Sequence, residues 1–386
     1  MIPPFQFNTT PRIVFSAGAA RDLASHIAAL GSRILVISDT GLIDAGLLDA
    51  PLAALKASGI ETTLFSDVVA DPPRAVVMAA ADAGRDFGAT GVLGFGGGSS
   101  LDVAKLAALL CASDEALDDA WGVGNAKGPR LPLALVPTTA GTGSEVTPIS
   151  IVTVEDDEKR GVVSPVILPD VAILDAELTL GLPAHVTAAT GVDAMVHAIE
   201  AFTSRSPNNN PVSRALAEEA LRLLGANIEA AVADGANLNA RAAMLLGSLL
   251  AGQAFANSPV AAVHALAYPI GGRFHVPHGL SNALVLPHVL RFNAPEAAKE
   301  YAQIAPLVFP QLGQCEGAQE CAARFAEELG ALNARLGLPA GLRSVGIGED
   351  DLAGLACDAM KQTRLLVNNP REVDEADALA IYRAAY

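Results

Sequence analysis

The sequence predicts an α/β domain built on a parallel sheet, followed by an all-helical domain, and three observations carry that prediction. Short Val/Ile/Leu-rich runs alternate with helix-periodic stretches through the first half. The alternation stops after Leu182-Pro183, and Ala/Leu/Glu-rich helical stretches then continue to the end. Runs that are apolar throughout, rather than apolar on alternate residues, belong to strands buried on both faces, as in parallel sheets covered by helices. The boundary therefore falls near residue 180, giving an α/β domain over 1–180 and a helical domain over 181–386.

Taken in order, Arg33–Ser38, Gly91–Phe95, Pro132–Val136 and Val171–Leu174 read as the buried strands. Helical periodicity runs over Ala19–Leu30, Arg74–Phe87 and Leu101–Leu110 between them. Pro183 suits the first turn of a helix, where a missing N–H costs nothing. Asn208-Asn209-Asn210-Pro211 reads as a loop between helices, with Asn210 or Ser213 as the cap. The most apolar later stretch, Ala242–Ala256, is interrupted by Gly247, Ser248, Gly252 and Gln253, so it reads as a buried helix rather than a membrane span.

Composition narrows the function classes. A length of 386 residues exceeds one ordinary core and favours two domains. With 51% hydrophobic and only 17% charged residues the chain can bury large cores, which excludes disorder. A net charge of −17 argues against nucleic acid or an anionic membrane as partner. Cys111, Cys315, Cys321 and Cys357 show no Cys-x-x-Cys pair and read as small buried hydrophobes in a reducing compartment. The opening Met-Ile-Pro-Pro-Phe-Gln-Phe-Asn lacks a basic region followed by an apolar core, so no secretory signal is read and a cytoplasmic location is expected.

The chemistry concentrates between Gly191 and His278. Asp193 and His197 stand four residues apart and, on a helix, share one face. His264 and His278 each lie at the start or end of a helical segment. Any one of these histidines alone reads as a hydrogen-bonded core residue. The chain has seven, however, and these three, with an acid one turn from the first, fall in segments too apolar to leave charge unpaired. Three imidazoles and a carboxylate suit a divalent first-row metal with a position left open for a substrate oxygen.

A second constellation lies in the first half. Gly94-Phe95-Gly96-Gly97-Gly98-Ser99 follows a strand and opens a helix, aiming backbone N–H groups and the positive helix end at an anion. Ser99 takes the sixth place of Gly-x-Gly-x-x-Gly, so a plain tight turn is the alternative. Asp39, just past the strand ending Ile37-Ser38, can accept hydrogen bonds from an adenosine ribose and repel a 2′-phosphate, or serve as a turn or N-cap residue. Pro137-Thr138-Thr139-Ala140-Gly141-Thr142-Gly143-Ser144 places hydroxyls and glycines at the end of another strand.

These segments together resemble the iron-containing (group III) alcohol dehydrogenases of the dehydroquinate synthase-like superfamily. The resemblance spans nearly the whole chain, through Gly94–Lys105, Pro137–Thr147, the Asp193/His197 segment and His264–His278. It implies an atypical Rossmann, dehydroquinate synthase-like first domain that binds NAD. It also implies ferrous iron, with zinc as the alternative, on Asp193, His197, His264 and His278. Cofactor contacts would come from Asp39, Gly96, Gly97, Gly98, Ser99, Asp102, Thr138, Thr139, Thr142, Ser144 and Lys159. Phe255 aligns with a pocket-lining position. The implied reaction is interconversion of small primary alcohols and aldehydes by hydride transfer, in a homodimer or higher homo-oligomer joined at an edge strand. Several glycines and the exposed cofactor loop lead to the expectation that the domains close over substrate.

Two positions depart from the family pattern. Many members carry a second histidine four residues after the third ligand, thought to relay the alcohol proton, where this chain has Tyr268. Members often show a lysine where Gly161 stands, with Lys159 or Arg160 as substitutes here. Tyr before Pro also resembles hydroxyacid–oxoacid transhydrogenases, which oxidise 4-hydroxybutyrate with NAD retained, and this is the alternative function. The lyase reaction of dehydroquinate synthase would need several basic residues for a phosphorylated substrate, and no cluster of Arg and Lys flanks the ligand positions, although Arg273 lies between two of them. A non-catalytic NAD sensor is disfavoured by the four filled ligand positions.

Overall fold

The computed structural model describes residues 3–154 and 158–386. Two compact units divide it: Asn8–Gly181, and Leu182–Tyr386 joined by the segment before Asn8. That lead-in is tied to the second unit by paired bonds. The Gln6 N–H donates to Asn208 Oδ1 (2.9 Å), and Asn208 Nδ2 donates to the Gln6 carbonyl (2.9 Å).

The first unit holds strands β1 (Arg12–Phe15), β2 (Arg33–Ile37), β3 (Glu61–Phe65), β4 (Gly91–Gly96), β5 (Gly122–Val123), β6 (Leu133–Pro137), β7 (Ile149–Thr153), β8 (Lys159–Val163) and β9 (Val171–Leu174). Its helices are α1 (Leu23–Ile27), α2 (Thr40–Asp44), α3 (Asp49–Ala57), α4 (Arg74–Phe87), α5 (Gly98–Ala112) and α6 (Leu117–Ala120). Six strands form one parallel sheet in the order β1-β9-β6-β4-β2-β3. Because side chains alternate across a strand, this sheet feeds two cores. Leu35, Ile37, Val92, Leu133 and Leu135 pack with α4 and α5 on one face, while Ile34, Val36, Leu93, Phe95 and Val136 pack with Leu23, Ile27 and Leu55 on the other. The unbroken apolar runs of the central strands follow directly from this double burial.

The strands that composition does not reveal are the lateral ones. β1 and β3 sit at the two edges and are partly exposed, so Glu61-Thr62-Thr63 and Arg12 interrupt the apolar pattern. A second small sheet, β5-β8-β7, is likewise mixed in composition. The stretch expected as one helix over Ala19–Leu30 is instead α1 flanked by two 3₁₀ turns, Ala19–Asp22 and Ala28–Leu30. The Asp175 carboxylate takes the N–H groups of Gly18 and Ala20 (both 3.0 Å), holding the first turn outside α geometry. Cysteine burial also differs from expectation: Cys321 is buried, Cys111 and Cys315 are half-buried, and Cys357 is exposed.

The second unit contains α7 (Ala184–Thr203), α8 (Pro211–Ala233), α9 (Leu238–Asn257), α10 (Ala262–Phe274), α11 (His278–Val308), α12 (Ala318–Arg335), α13 (Leu352–Ala359), α14 (Thr363–Leu366) and α15 (Glu375–Ala385). No strand occurs among its described residues. Pro183 stands at the N-cap of α7, one place before the first turn. Asn210, not Ser213, caps α8: its Oδ1 accepts the Ser213 N–H at 2.9 Å while Pro211 opens the helix. Among the described residues no helix is long and apolar enough to cross a membrane.

Candidate active site: a metal centre and a cofactor cradle

Helix α7 supplies Asp193 and His197 from one face, as their spacing requires. His264 enters from the first turn of α10, and His278 is the first residue of α11. One ligand atom from each of the four lies within 4.8 Å of every other. Asp193 Oδ1 stands 3.7 Å from His278 Nε2 and 4.0 Å from His264 Nε2. Donors of a four-coordinate ion with bonds of ~2.1 Å stand roughly 3.4 Å apart, so the set fits a divalent first-row metal in spacing and donor type. Asp193, His197 and His264 are buried and His278 is half-buried, which keeps one side open. Burial works against charge on Asp193. The neighbouring His197, His278 and His264, with an Asn282 hydrogen bond, outweigh it and hold the carboxyl below its usual range.

A second layer holds the four candidate ligands in place. Glu200, one turn beyond His197 on α7, is 4% exposed and bonds both the His264 Nδ1 (2.6 Å) and the Val263 N–H (2.7 Å). A carboxylate only accepts, so it keeps the His264 proton on Nδ1 and leaves the Nε2 lone pair facing Asp193. Phe255 of α9 stacks on the His197 ring at 4.3 Å and 17°, so it fixes a ligand's plane as well as filling the core. Tyr268 lies beside two ligands, its ring 6.4 Å from that of His264 and 5.8 Å from that of His278. Arg273 pairs with Asp358 of α13.

The cofactor candidates collect at one end of the other unit. Asp39, Gly96–Ser99 and Thr138 follow β2, β4 and β6, three adjacent parallel strands, at their carboxyl ends. In open α/β sheets ligands bind there, where the strand order reverses. Gly96 at φ 155° and Gly97 carry the chain into α5, whose first-turn N–H groups point outward. A Cβ on Gly98 would come within 2.7 Å of Thr142 Cγ2, so only glycine lets the two loops approach this closely. Thr138 is buried, Thr139 and Thr142 are half-buried, and Thr142 Oγ1 accepts the Ser144 N–H (3.3 Å). Asp39 caps α2 through Oδ1, which accepts from Leu42 N–H at 3.1 Å.

Asp102, Ser144 and Lys159, also predicted cofactor residues, have side-chain partners within the protein. Asp102 Oδ1 accepts from Ser144 Oγ (2.6 Å), and its Oδ2 accepts from the Ile151 N–H (2.8 Å). Lys105 is fully buried and donates to Ser144 Oγ (2.7 Å), Thr147 Oγ1 (3.1 Å) and the Ile149 carbonyl (2.6 Å). Asp102 and Ser144 thereby brace the loop after β6 against α5. Lys159 pairs with Asp71 and donates to Thr153 Oγ1 (3.2 Å).

Glu200, Asn282 and Glu145 are site-adjacent residues that sequence reasoning missed. Glu200 follows His197 by three residues and Asn282 follows His278 by four, so helical spacing alone could have found them. Glu145 is 1% exposed, with Oε1 lacking a hydrogen-bond partner among the described residues. Burial raises its carboxyl to about 7, against the opposing pull of its own backbone N–H and Lys105.

Comparison with known proteins matches both units. Residues 10–176 fit the family profile described as iron-containing alcohol dehydrogenase, and residues 187–386 fit that of the Fe-containing alcohol dehydrogenase family, C-terminal. Long-chain-alcohol dehydrogenase 1 of Geobacillus thermodenitrificans is 43% identical over 376 residues, covering 96% of this chain and 93% of that protein. A crystal structure of 1,3-propanediol oxidoreductase superposes with a TM-score of 0.95 at 34% identity, covering 99% of this chain and 100% of its own. Sulfoacetaldehyde reductase from Bifidobacterium kashiwanohense, solved in complex with NAD+, superposes with a TM-score of 0.87 at 30% identity, covering 100% of this chain and 99% of its own. On the strength of both profiles and of near full-length relatives, this chain belongs to the iron-containing alcohol dehydrogenase family.

Proposed function

We propose that this chain interconverts primary alcohols and aldehydes with NAD, binding the cofactor on the α/β unit and divalent iron on Asp193, His197, His264 and His278. The observation that carries the reading is the buried convergence of those four ligand atoms. When bound, iron supplies the Lewis acidity that makes an alcohol easier to deprotonate. NAD supplies the hydride acceptor. Asp193 tempers the charge of the dication, and Glu200 keeps the His264 lone pair available. Phe255 and the buried helices exclude water from the His197 side of the site. Tyr268 is assigned to the alcohol proton because its ring adjoins both His264 and His278. A phenol holds its proton near neutrality, so Tyr268 is better equipped to donate in aldehyde reduction than to act as base in alcohol oxidation.

Asp39 is assigned to the adenosine ribose, with one carboxylate oxygen left over after capping α2. Gly96, Gly97, Gly98 and Ser99 are assigned to the pyrophosphate, and Thr138, Thr139 and Thr142 to polar contacts along the cofactor. Asp102 and Ser144 support that loop, and Lys159 is assigned to the cofactor phosphates. The relatives' names span long-chain alcohols, 1,3-propanediol and sulfoacetaldehyde, so chain length is the open variable of the substrate. A homodimer through β1 is part of the reading, since this edge strand exposes Ile13 and Phe15. A cytoplasmic location completes it.

The test is NAD reduction and NADH oxidation by the iron-loaded protein against primary alcohols of increasing length, 1,3-propanediol, 4-hydroxybutyrate and the matching aldehydes. Turnover with freely exchanging NAD on the alcohols is expected. Activity confined to 4-hydroxybutyrate with NAD retained through the cycle would replace this reading with the transhydrogenase.

A further inference from the structure

We infer that Asn282 is a positioning residue of the metal centre, a neutral clamp that holds Asp193 in the orientation in which it meets a divalent ion. The inference rests on the metal reading above and extends it to a residue outside the ligand set. Asn282 lies one turn beyond His278 on α11 and is fully buried. Its Nδ2 donates to Asp193 Oδ1 at 2.6 Å. The same nitrogen stands 3.3 Å from His264 Nε2 and 3.2 Å from His278 Nε2, so one amide touches three of the four ligands.

The other end of the amide shows that this placement is not made for general stability. Asn282 Oδ1 is buried with no hydrogen-bond partner among the described residues. An orphaned buried carbonyl is unfavourable, and an apolar side chain of similar size would avoid it. What the apolar side chain would lack is the donor to Asp193. Backbone packing serves the same contact: a Cβ on Gly279 would fall 2.5 Å from the Ala189 carbonyl oxygen and 3.2 Å from Asp193 Cβ. Glycine there lets the start of α11 press against α7, which brings Asn282 within reach of Asp193.

The choice of asparagine follows from charge. Asp193 is buried, and once the imidazoles give their lone pairs to an ion they offer it no proton. A lysine or arginine would supply a donor but would repel the dication at this distance. An amide donates without charge, and it fixes which carboxylate oxygen is engaged.

The experiment uses the full-length protein freed of metal by chelation, with Co2+ as probe, in wild type, Asn282→Ala, Asn282→Asp and Asn282→Ser. Co2+ affinity is measured by competition with a chromophoric chelator, alongside the Co2+ visible absorption spectrum and NAD binding. Asn282→Ala is expected to bind Co2+ about 10–100-fold more weakly with an altered spectrum, at unchanged NAD affinity. Asn282→Asp is expected to weaken it as well, because a carboxylate lacks the donor and repels Asp193. Asn282→Ser keeps a donor in a smaller volume and should fall between wild type and alanine, which also serves if the alanine protein does not fold. Unchanged Co2+ affinity and spectrum in the alanine or serine variant would overturn the clamp. Tighter Co2+ binding by Asn282→Asp would overturn it too, in favour of direct ligation at position 282. A wild type that binds no Co2+ would instead sink the metal reading on which the clamp rests.

Discussion

Replacing Glu200 tests the layer behind the ligands, because its two carboxylate oxygens serve two buried donors. In Glu200→Gln the side chain keeps its length, but the amide offers one acceptor and one N–H2 where two acceptors stood. With the amide oxygen on the Val263 N–H, now 2.7 Å from its acceptor, the amide N–H2 faces His264 Nδ1, now 2.6 Å from the carboxylate, and Nδ1 accepts it only if the ring moves its proton to Nε2. In the metal-free protein that tautomer keeps both partners paired, so the stability loss should stay below the about 1–3 kcal/mol of one unpaired buried donor. In Glu200→Ala both are orphaned, and the loss rises to roughly 2–6 kcal/mol. Metal binding should fall separately, by about 10–100-fold, because the His264 tautomer and ring orientation are no longer imposed. Urea unfolding of the metal-free protein reads the first effect, and Co2+ competition reads the second. If Glu200→Gln unfolds within about 0.5 kcal/mol of wild type and binds Co2+ equally well, the carboxylate does not organise this site.

Further outcomes follow from other residues. Glu145 carries a carboxyl raised to about 7 from an ordinary 4.5 by burial, with its backbone and Lys105 pulling the other way. A carboxyl raised in the folded state leaves stability intact below the unfolded value and erodes it as pH climbs through the folded value. Relative to Glu145→Gln, the wild type should lose up to roughly 3 kcal/mol across that window, read by urea unfolding at several pH values; parallel curves would contradict the burial argument. Phe255→Ala removes a nearly buried ring and its stack on His197, so a stability loss of about 3–5 kcal/mol is expected, and a loss well below this would mean the cavity collapses without cost. Gly98→Ala forces a Cβ to within 2.7 Å of Thr142 Cγ2; by the usual cost of overpacking, about 1–3 kcal/mol, calorimetry should show NAD bound at least severalfold more weakly, and unchanged affinity would remove this loop from the cofactor site.

How much of this was legible beforehand depended on how strongly tertiary packing marks the sequence. The central strands β2, β4, β6 and β9 are buried on both faces, so their unbroken apolar runs announce them. β1 and β3 have only one neighbour each and one wetter side, so the same rule passes over them. Helix α4 was readable end to end because it is amphipathic against one core, whereas α5 is buried nearly all round and its limits do not show in periodicity. At the site, the four candidate ligand residues stood out because imidazole and carboxylate are rare in apolar segments. Glu200 and Asn282 carry equally polar groups one turn away, yet their partners, Val263, His264 and Asp193, lie on other elements or far along the chain. The burial of Lys105 is not legible in the sequence for a related reason. A lysine one turn into a helix beside Asp102 resembles a surface pair until the β7 segment and the Ser144 turn are folded over it.

The measurement that bears most directly on the central claim is a side-by-side determination of iron content, NAD affinity and alcohol turnover in wild type and His264→Ala, each stripped and reloaded anaerobically with ferrous iron. Wild type should take up iron and turn over only when reloaded, while His264→Ala should lose iron and turnover yet bind NAD normally. Turnover by His264→Ala at full iron content would contradict the assignment of the metal centre.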